Sequence, residues 1–117
     1  MKILIASGIF IPEPGGPATY AVKIAEEFLK LGHQVSIITY SDKSEYDFDK
    51  DLAYSVLRIK RSNKLANYLN YFKALQKEAK DADRIYSFDH FSAGIPAAIF
   101  STIFKKDFYI RVGGDFI

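Results

Sequence analysis

The feature that most constrains this chain is the alternation of short apolar runs with segments of helical periodicity. Five runs have the length and β-branched content of strands: KILIA (2–6), QVSIITY (34–40), LAYSVLRI (52–59), RIYSF (84–88) and DFYIRV (107–112). Strands that alternate with helices favour a parallel sheet with right-handed crossovers. We therefore predict an α/β fold, a doubly wound Rossmann-like parallel sheet of order 3-2-1-4-5 with helices on both faces.

The first predicted helix follows Gly16 and ends at Gly32. Pro17 suits its first turn, where an N–H group is not needed, and glycine at position 32 can adopt the left-handed conformation that closes a helix. Apolar residues recur at helical spacing at Ala21, Ile24, Ala25, Phe28 and Leu31. One amphipathic face of this helix is therefore expected to pack on the sheet.

Two further helices are predicted. Ser62 or Asn63 can cap the second, whose expected apolar stripe is Leu65, Leu69, Phe72, Leu75 and Ala79. The third, SAGIPAAIFSTIF (92–104), is apolar nearly all round, so we expect it to lie between the sheet and another layer. The polar stretch 41–51 is expected to be a loop.

Composition limits the class of protein. The 117 residues fit one domain and, with 49% apolar residues, can bury a core. A net charge of +2 gives no reason to expect nucleic acid as a partner. The absence of cysteine excludes disulfides and thiolate metal sites and fits a cytoplasmic protein. No apolar run approaches the ~18 residues of a membrane span, and Ser7 and Gly8 interrupt the run that imitates a signal peptide.

Paired glycines lie where the first predicted strand turns into the first helix. In doubly wound sheets, ligands bind beyond the carboxyl ends of the strands, at the switch point between strands 1 and 4. The loops expected there contain Gly15-Gly16, Asp89-His90 and residues 113–115. Glycines let backbone N–H groups approach an anion, and a helix N-terminus adds partial positive charge. A turn that binds no ligand explains the paired glycines equally well.

Other ligand classes known for such sheets do not fit this loop. Gly8 is isolated, so the G-x-G-x-x-G fingerprint of a dinucleotide site is missing. No Lys-Ser or Lys-Thr pair follows Gly16, which excludes a P-loop. The first strand ends in Ala6-Ser7-Gly8 rather than in the carboxylates of a phosphoacceptor domain.

Two long stretches of the sequence resemble the retaining, nucleotide-sugar-dependent glycosyltransferases of the GT-B fold, family 4 type. They are KILIAS…PEPGGPATYAVKIAEEFLKLGHQVSIIT and ADRIYSFDHFSAGIPAAIFSTIFKKDFYIRVGGDFI, which together span nearly the whole chain. The P-x-x-GG-x-x-x-Y loop followed by GH-x-V is the most specific part. His33 in this motif resembles a packing signature of the family and is assigned no chemistry.

The resemblance implies that residues 1–117 are the first part of the N-terminal, acceptor-side domain of an enzyme, and that the remaining strands of this domain and the C-terminal, donor-binding domain are absent. Such an enzyme transfers a sugar, typically a hexose, from a nucleotide sugar to a glycan or lipid-linked acceptor. The nucleotide sugar is a co-substrate, and neither a cofactor nor a metal is implied. We expect the 117-residue chain alone to be inactive.

The resemblance also implies roles for individual residues. Gly15 and Gly16 match glycines whose backbone meets the donor's phosphate or sugar, and Tyr20 either faces the cleft or packs in the core. Asp89 matches an acidic position and either holds an acceptor hydroxyl or caps a helix. The candidate substrate-binding residues are therefore Gly15, Gly16, Tyr20, Asp89, Gly113 and Gly114.

The candidate catalytic residues are Asp115 and His90. Many relatives carry a histidine after the fifth strand where this chain has Gly113, so Asp115 is the nearest polar substitute. His90 lies one residue beyond the acidic position, and its ordinary pKa suits acid–base chemistry. A loop histidine that serves only solvent contact or structure is the alternative.

A non-catalytic binding module is the alternative function. Basic residues cluster on the third strand and second helix, at Arg58, Lys60, Arg61, Lys64, Lys73, Lys77 and Lys80. Family relatives that glycosylate lipids dock on anionic membranes through this region, so a peripheral position at the inner face of the cell membrane is one expectation. An ordinary solvated face is the other, since Glu78, Asp81 and Asp83 dilute the charge.

Overall fold

The computed structural model of the protein describes residues 1–12, 16–88, 93–112 and 115–116. Its strands are β1 (Lys2–Ser7), β2 (Gln34–Ser41), β3 (Ser55–Lys60), β4 (Arg84–Ser87), β5 (Asp107–Val112) and β6 (Asp115–Phe116). Its helices are α1 (Gly16–Lys30), α2 (Lys64–Glu78) and α3 (Gly94–Phe104). Strands and helices thus alternate as predicted, with helix and strand ends shifted by a few residues.

The sheet has the order β3-β2-β1-β4-β5-β6, and its first five strands are parallel. This confirms the predicted doubly wound α/β fold of order 3-2-1-4-5. The two-residue β6 runs antiparallel to β5, with Val112 opposite Asp115, and was not predicted. A two-residue strand leaves no periodic signal in the sequence.

Two apolar layers cover the two faces of the sheet. Because side chains alternate along a strand, Leu4 and Ala6 join Tyr71 and Leu75 of α2 in one core, whereas Ile5 joins the α1 side. The second core contains Ile37, Ala21 and Ala25. Helices therefore lie on both faces, with α1 on one face and α2 and α3 on the other.

The C-terminal end of α1 forms at Gly32, as predicted. Gly32 has φ +88°, its N–H donates to the Leu29 carbonyl, and the His33 N–H donates to the Phe28 carbonyl. These are the two bonds of a Schellman motif, which satisfies carbonyls that the helix leaves without partners. Leu31 was expected in the apolar face but is 70% exposed, because it belongs to this closing turn.

Helix α2 presents only part of the predicted face to the core, with Leu75 and Ala79 buried as expected. Asn63 is its cap, since the side-chain oxygen accepts from the Ala66 N–H at 2.9 Å. The residues buried within α2 are Tyr71, Ala74 and Leu75. Leu65 and Leu69 are 68% and 55% exposed, so the expected stripe is wrong at these two positions.

Helix α3 packs on the sheet and on α2 but is not enclosed by the described residues. Pro96, Ala97 and Phe100 are buried. The opposite side leaves Ile95, Ile99, Ile103 and Phe104 exposed. The expectation of a second covering layer is therefore wrong for the part of the protein that the structure describes.

The connection between β2 and β3 is more ordered than a simple loop. It contains a 3-10 helix, Asp47–Asp51. Ser41, expected in the loop, is the last residue of β2, and β3 begins at Ser55 rather than at Leu52. Tyr54 is buried just before β3 and packs edge-on against Phe10, which explains why the apolar pattern starts earlier than the strand.

Candidate functional site

The topological switch point lies at the carboxyl ends of β1 and β4. The two strands pair side by side, with Ala6 opposite Ser87, and the Phe88 N–H donates to the Ala6 carbonyl at 3.1 Å. The chain leaves β1 towards α1 on one face, whereas the connections from β3 and from β4 use the other face. A crevice for a ligand is expected at such a point.

The described part of the glycine turn is its helical end. Gly16 is the first residue of α1, so the helix N-terminus forms where the sequence predicts it. No acidic side chain lies in the first turn of the helix, so no neighbouring charge there opposes an anion. Gly15 lies outside the described residues.

Tyr20 of α1 contacts Phe88, the residue that follows β4 at the switch point. Its ring meets the ring of Phe88 edge-on, with centroids 5.3 Å apart. The side chain is half-buried against the apolar core on the α1 face. Packing of this kind was one of the two roles expected for Tyr20, and its contact with a substrate stays a prediction.

Of the remaining candidate residues, the structure describes Asp115 alone. Asp89, His90, Gly113 and Gly114 lie outside the described residues. Asp115 is in β6, directly opposite Val112 at the end of β5. Because Ala6, Ser87 and Ile110 are consecutive neighbours across β1, β4 and β5, the carboxyl ends of these three strands lie next to one another.

Arg58, which the sequence suggested for a basic surface, is buried at this edge of the sheet. Its side chain has no exposed surface, and it donates two hydrogen bonds to the Asp49 carboxylate, at 2.8 and 2.9 Å. A third bond, of 2.7 Å, reaches the Ile11 carbonyl. The expectation that Arg58 belongs to a basic surface is therefore wrong. A carboxylate and a carbonyl from two loops take the place of the water that would hydrate an exposed guanidinium.

Arg58 also affects the pKa of the Asp49 carboxyl. Burial raises the pKa of the Asp49 carboxyl, but the hydrogen bonds from the Arg58 side chain and the Tyr46 N–H, with the Arg58 charge, outweigh it. The net result is a pKa below the ordinary value of 3.8. Asp49 is therefore ionised at neutral pH.

Arg61 makes a second, more exposed bridge to the segment after β1. Its guanidinium donates to the Gly8 carbonyl at 3.4 Å and to the Asp42 carboxylate at 3.1 Å. Nothing in the sequence pattern places Arg58 and Arg61 beside the segment that follows β1. The usable signal was the pair Tyr46 and Phe48, since aromatic residues in an otherwise acidic stretch indicate that the stretch packs on something.

An open cleft of about 480 Å³ lies at the opposite, amino-terminal edge of the strands. Its wall includes Lys2, His33, Gln34 and Ser55. The His33 Nδ1 lies 3.2 Å from the N-terminal amine, and its ring packs edge-on against Phe28, as expected of a packing residue. The cleft is thus separate from the switch point and contains none of the predicted site residues.

Comparison of the sequence with protein-family models and with curated proteins finds no match. Within the described ranges, no three His, Cys, Asp or Glu residues are grouped so that they can hold a metal ion. None of the helices in the described part of the chain is long and apolar enough to cross a membrane.

Proposed function

We propose that this chain is the acceptor-side domain of a GT-B glycosyltransferase that transfers a sugar from a nucleotide sugar to a glycan or lipid-linked acceptor. One observation supports this most. A helix whose first residue is glycine begins beside the β1–β4 switch point, at the edge of the sheet where doubly wound proteins bind their ligands. The resemblance of the glycine loop and of the stretch 82–117 to this family indicates which class of ligand would bind there.

A helix N-terminus at this position suits the chemistry of sugar transfer. When a nucleoside diphosphate leaves the sugar, negative charge grows on its phosphate oxygens, and fixed N–H donors stabilise that charge in the transition state. The first N–H groups of a helix find no partner within it and can donate to an anion, so in this proposal the donor phosphate lies against the backbone at Gly16. In this proposal, Tyr20 and Asp89 line the acceptor side, and Asp115 and His90 are the candidates for proton transfer.

The test maps ligand binding on the chain itself. We would titrate ¹⁵N-labelled protein with UDP, GDP, UDP-glucose and GDP-mannose, and separately with simple hexose glycosides as acceptors. The proposal predicts shifts confined to residues 8–20, 87–93 and 112–115. Shifts centred on the amino-terminal cleft, or no shifts with any of these probes at millimolar concentration, would contradict it.

Docking on an anionic membrane is a second candidate function, supported by the surface of α2 and α3. The exposed apolar residues of this surface are Leu65, Leu69, Ile95, Ile99 and Ile103, and Lys73 and Lys77 are exposed on α2. Apolar side chains beside lysines fit the boundary between acyl chains and anionic headgroups. In this candidate function, an acceptor anchored in the membrane reaches the site from the same surface.

Sedimentation with vesicles tests this second function. Binding to phosphatidylglycerol vesicles should exceed binding to phosphatidylcholine vesicles and should weaken with salt, since the screening length is about 8 Å at physiological ionic strength. Ile99→Glu should reduce it, whereas Leu31→Glu, an exposed leucine on the other face of the sheet, should not. Equal binding of both variants would refute docking through α2 and α3.

A further inference from the structure

The side chain of Arg58 is fully buried and has partners in two other segments of the chain. From β3 it reaches the Asp49 carboxylate in the 3-10 helix and the Ile11 carbonyl in the segment that follows β1. Its N–H group also lies 3.5 Å from the Ser41 hydroxyl at the end of β2. A buried guanidinium is tolerated only when its charge and its N–H groups are satisfied in this way.

Three aromatic rings surround the same guanidinium. Its central carbon lies 4.5 Å from the ring centroid of Tyr46, 5.6 Å from that of Phe10 and 5.7 Å from that of Phe48. Cations are attracted to ring faces at these distances, and the rings exclude water from the ion pair. Phe10 is itself completely buried, although it lies in the connection between β1 and α1.

The partners of Arg58 therefore join the two connections that flank the candidate site. Phe10 and Ile11 belong to the connection that continues into the glycine turn, and Tyr46, Phe48 and Asp49 belong to the connection between β2 and β3. We propose that Arg58 is a positioning residue: it holds the Phe10–Ile11 segment at the carboxyl edge and thereby fixes the path of the chain as it leaves β1 towards α1. It acts on a ligand only through this segment, and that part alone rests on the proposed function.

Lysine cannot replace arginine in this role. The two bonds to Asp49 and the one to Ile11 use the planar fork of a guanidinium, whereas an ammonium group is a point donor. Arg58→Lys keeps the charge but is expected to lose part of the hold on Ile11. Arg58→Met keeps most of the side-chain volume and loses all the hydrogen bonds.

Native-state proteolysis separates a local hold from general stability. Thermolysin cleaves on the amino side of large apolar residues, so cuts before Ile9 and Phe10 report release of the segment after β1, and a cut before Phe48 reports release of the other connection. The matched control is Ile59→Ala, because Ile59 is the next residue of β3 and packs in the core on the opposite face of the sheet. Fragments would be identified by mass spectrometry, and global stability would be followed by urea unfolding.

The proposal expects Arg58→Met to accelerate cuts before Ile9, Phe10 and Phe48 by about tenfold or more over Ile59→Ala at equal global stability, since local opening governs such cuts. Arg58→Lys should fall between wild type and Arg58→Met. If the cuts in Arg58→Met and Ile59→Ala scale alike with global stability, Arg58 is an ordinary stabilising residue and the proposal is wrong. If Arg58→Met does not fold, Arg58→Lys and Asp49→Asn decide by the same comparison.

A second experiment, which measures ligand binding, distinguishes failure of this inference from failure of the proposed function. UDP titrations of wild type and Arg58→Lys, followed at the amides of residues 8–20, should show weaker binding to the variant. If neither UDP nor the hexose glycosides bind wild type, the proposed function is contradicted, while the proteolysis result still decides whether Arg58 holds the Phe10–Ile11 segment. Equal affinity in the two proteins, with UDP bound, would show that the segment held by Arg58 does not position the ligand.

Discussion

At the scale of single residues, Arg58 joins the segment after β1 to the connection between β2 and β3, through the Ile11 carbonyl and the Asp49 carboxylate. The glycine turn is visible in the sequence because Gly15-Gly16 interrupt the step from strand to helix. Arg58 is not, because alternation along β3 gives the face of a side chain but not the loop that covers it. Only the folded chain brings Asp49 and Ile11 to the guanidinium.

Replacement of Gly16 by valine tests the proposed contact with a phosphate. Gly16 lies in the first turn of a right-handed helix, where a side chain is compatible with the backbone, so the free energy of unfolding should change by less than ~1 kcal/mol. If a donor phosphate approaches this backbone, turnover should fall by about 10²–10³ in a protein that also contains the donor-binding domain. Gly16→Ala is the control, with a smaller fall. An unchanged rate per folded molecule would remove Gly16 from the site.

Asp49 makes stability depend on pH in the acid range. Since the folded-state pKa of its carboxyl is below its ordinary value of 3.8, the stabilisation is complete above that value and is lost as the pH falls through the folded-state pKa. The urea concentration at the midpoint of unfolding should therefore decrease when the pH is lowered below about 4. In Asp49→Asn, the midpoint should be lower at neutral pH and should depend less on acid. Parallel curves for the two proteins would contradict the shift.

At the scale of secondary-structure elements, the ends of helices follow the sequence more closely than their faces do. Asn63 and Gly32 act as expected because capping depends on a few neighbouring residues. The apolar residues of α2 occupy a band wider than one helix face. Tyr71 and Leu75 are buried against the sheet, whereas Leu65 and Leu69 stay exposed. Periodicity alone does not say which arc meets the sheet.

The cap of α2 can be assigned by two substitutions. Asn63→Ala removes the bond to the Ala66 N–H and should lower the free energy of unfolding by about 1 kcal/mol. Ser62→Ala, at the other residue that the sequence allowed as the cap, should change it by only a few tenths of a kcal/mol at most. Urea unfolding of both variants gives the comparison. A larger effect at Ser62 would contradict the assignment.

The end of α1 offers a test of backbone strain without a packing effect. A Cβ atom at Gly32 would have no neighbour within 4 Å, so the cost of a side chain there comes from φ +88° alone. Gly32→Ala should lower the free energy of unfolding by about 1–2 kcal/mol, and Gly32→Asn by less, because asparagine tolerates the left-handed region better. Equal losses for alanine and asparagine would point to a cause other than φ.

At the scale of the whole molecule, the strand order was predictable and the outer surface was not. Order 3-2-1-4-5 follows from the alternation of elements and the handedness of crossovers. The exposure of the isoleucines of α3 could not be predicted in this way. An apolar helix indicates that something packs on each of its sides, but it does not indicate whether the described residues do so. Of the predicted site, Gly16 begins α1 and Tyr20 packs against Phe88, and the roles of all the candidates stay predictions.

The purified 117-residue chain should transfer no sugar. Transfer needs donor and acceptor held in one geometry, and under the proposed function the donor-binding half is not part of these 117 residues. Radiolabelled UDP-glucose and GDP-mannose, incubated with the chain and hexose acceptors, would give no labelled product. Turnover of either donor would show that the assignment to the acceptor side is wrong.

The central position of β1 has a consequence for synthesis of the chain on the ribosome. One side of β1 pairs with β2, where Ile3 faces Val35, but its other side pairs with β4, where Ile3 faces Arg84. One edge of β1 therefore stays unpaired until β4 has been translated, because Arg84 emerges long after Ile3. Exposed strand edges recruit other chains. We infer that the interval before β4 emerges is when the nascent protein is most exposed to mispairing and most in need of a chaperone.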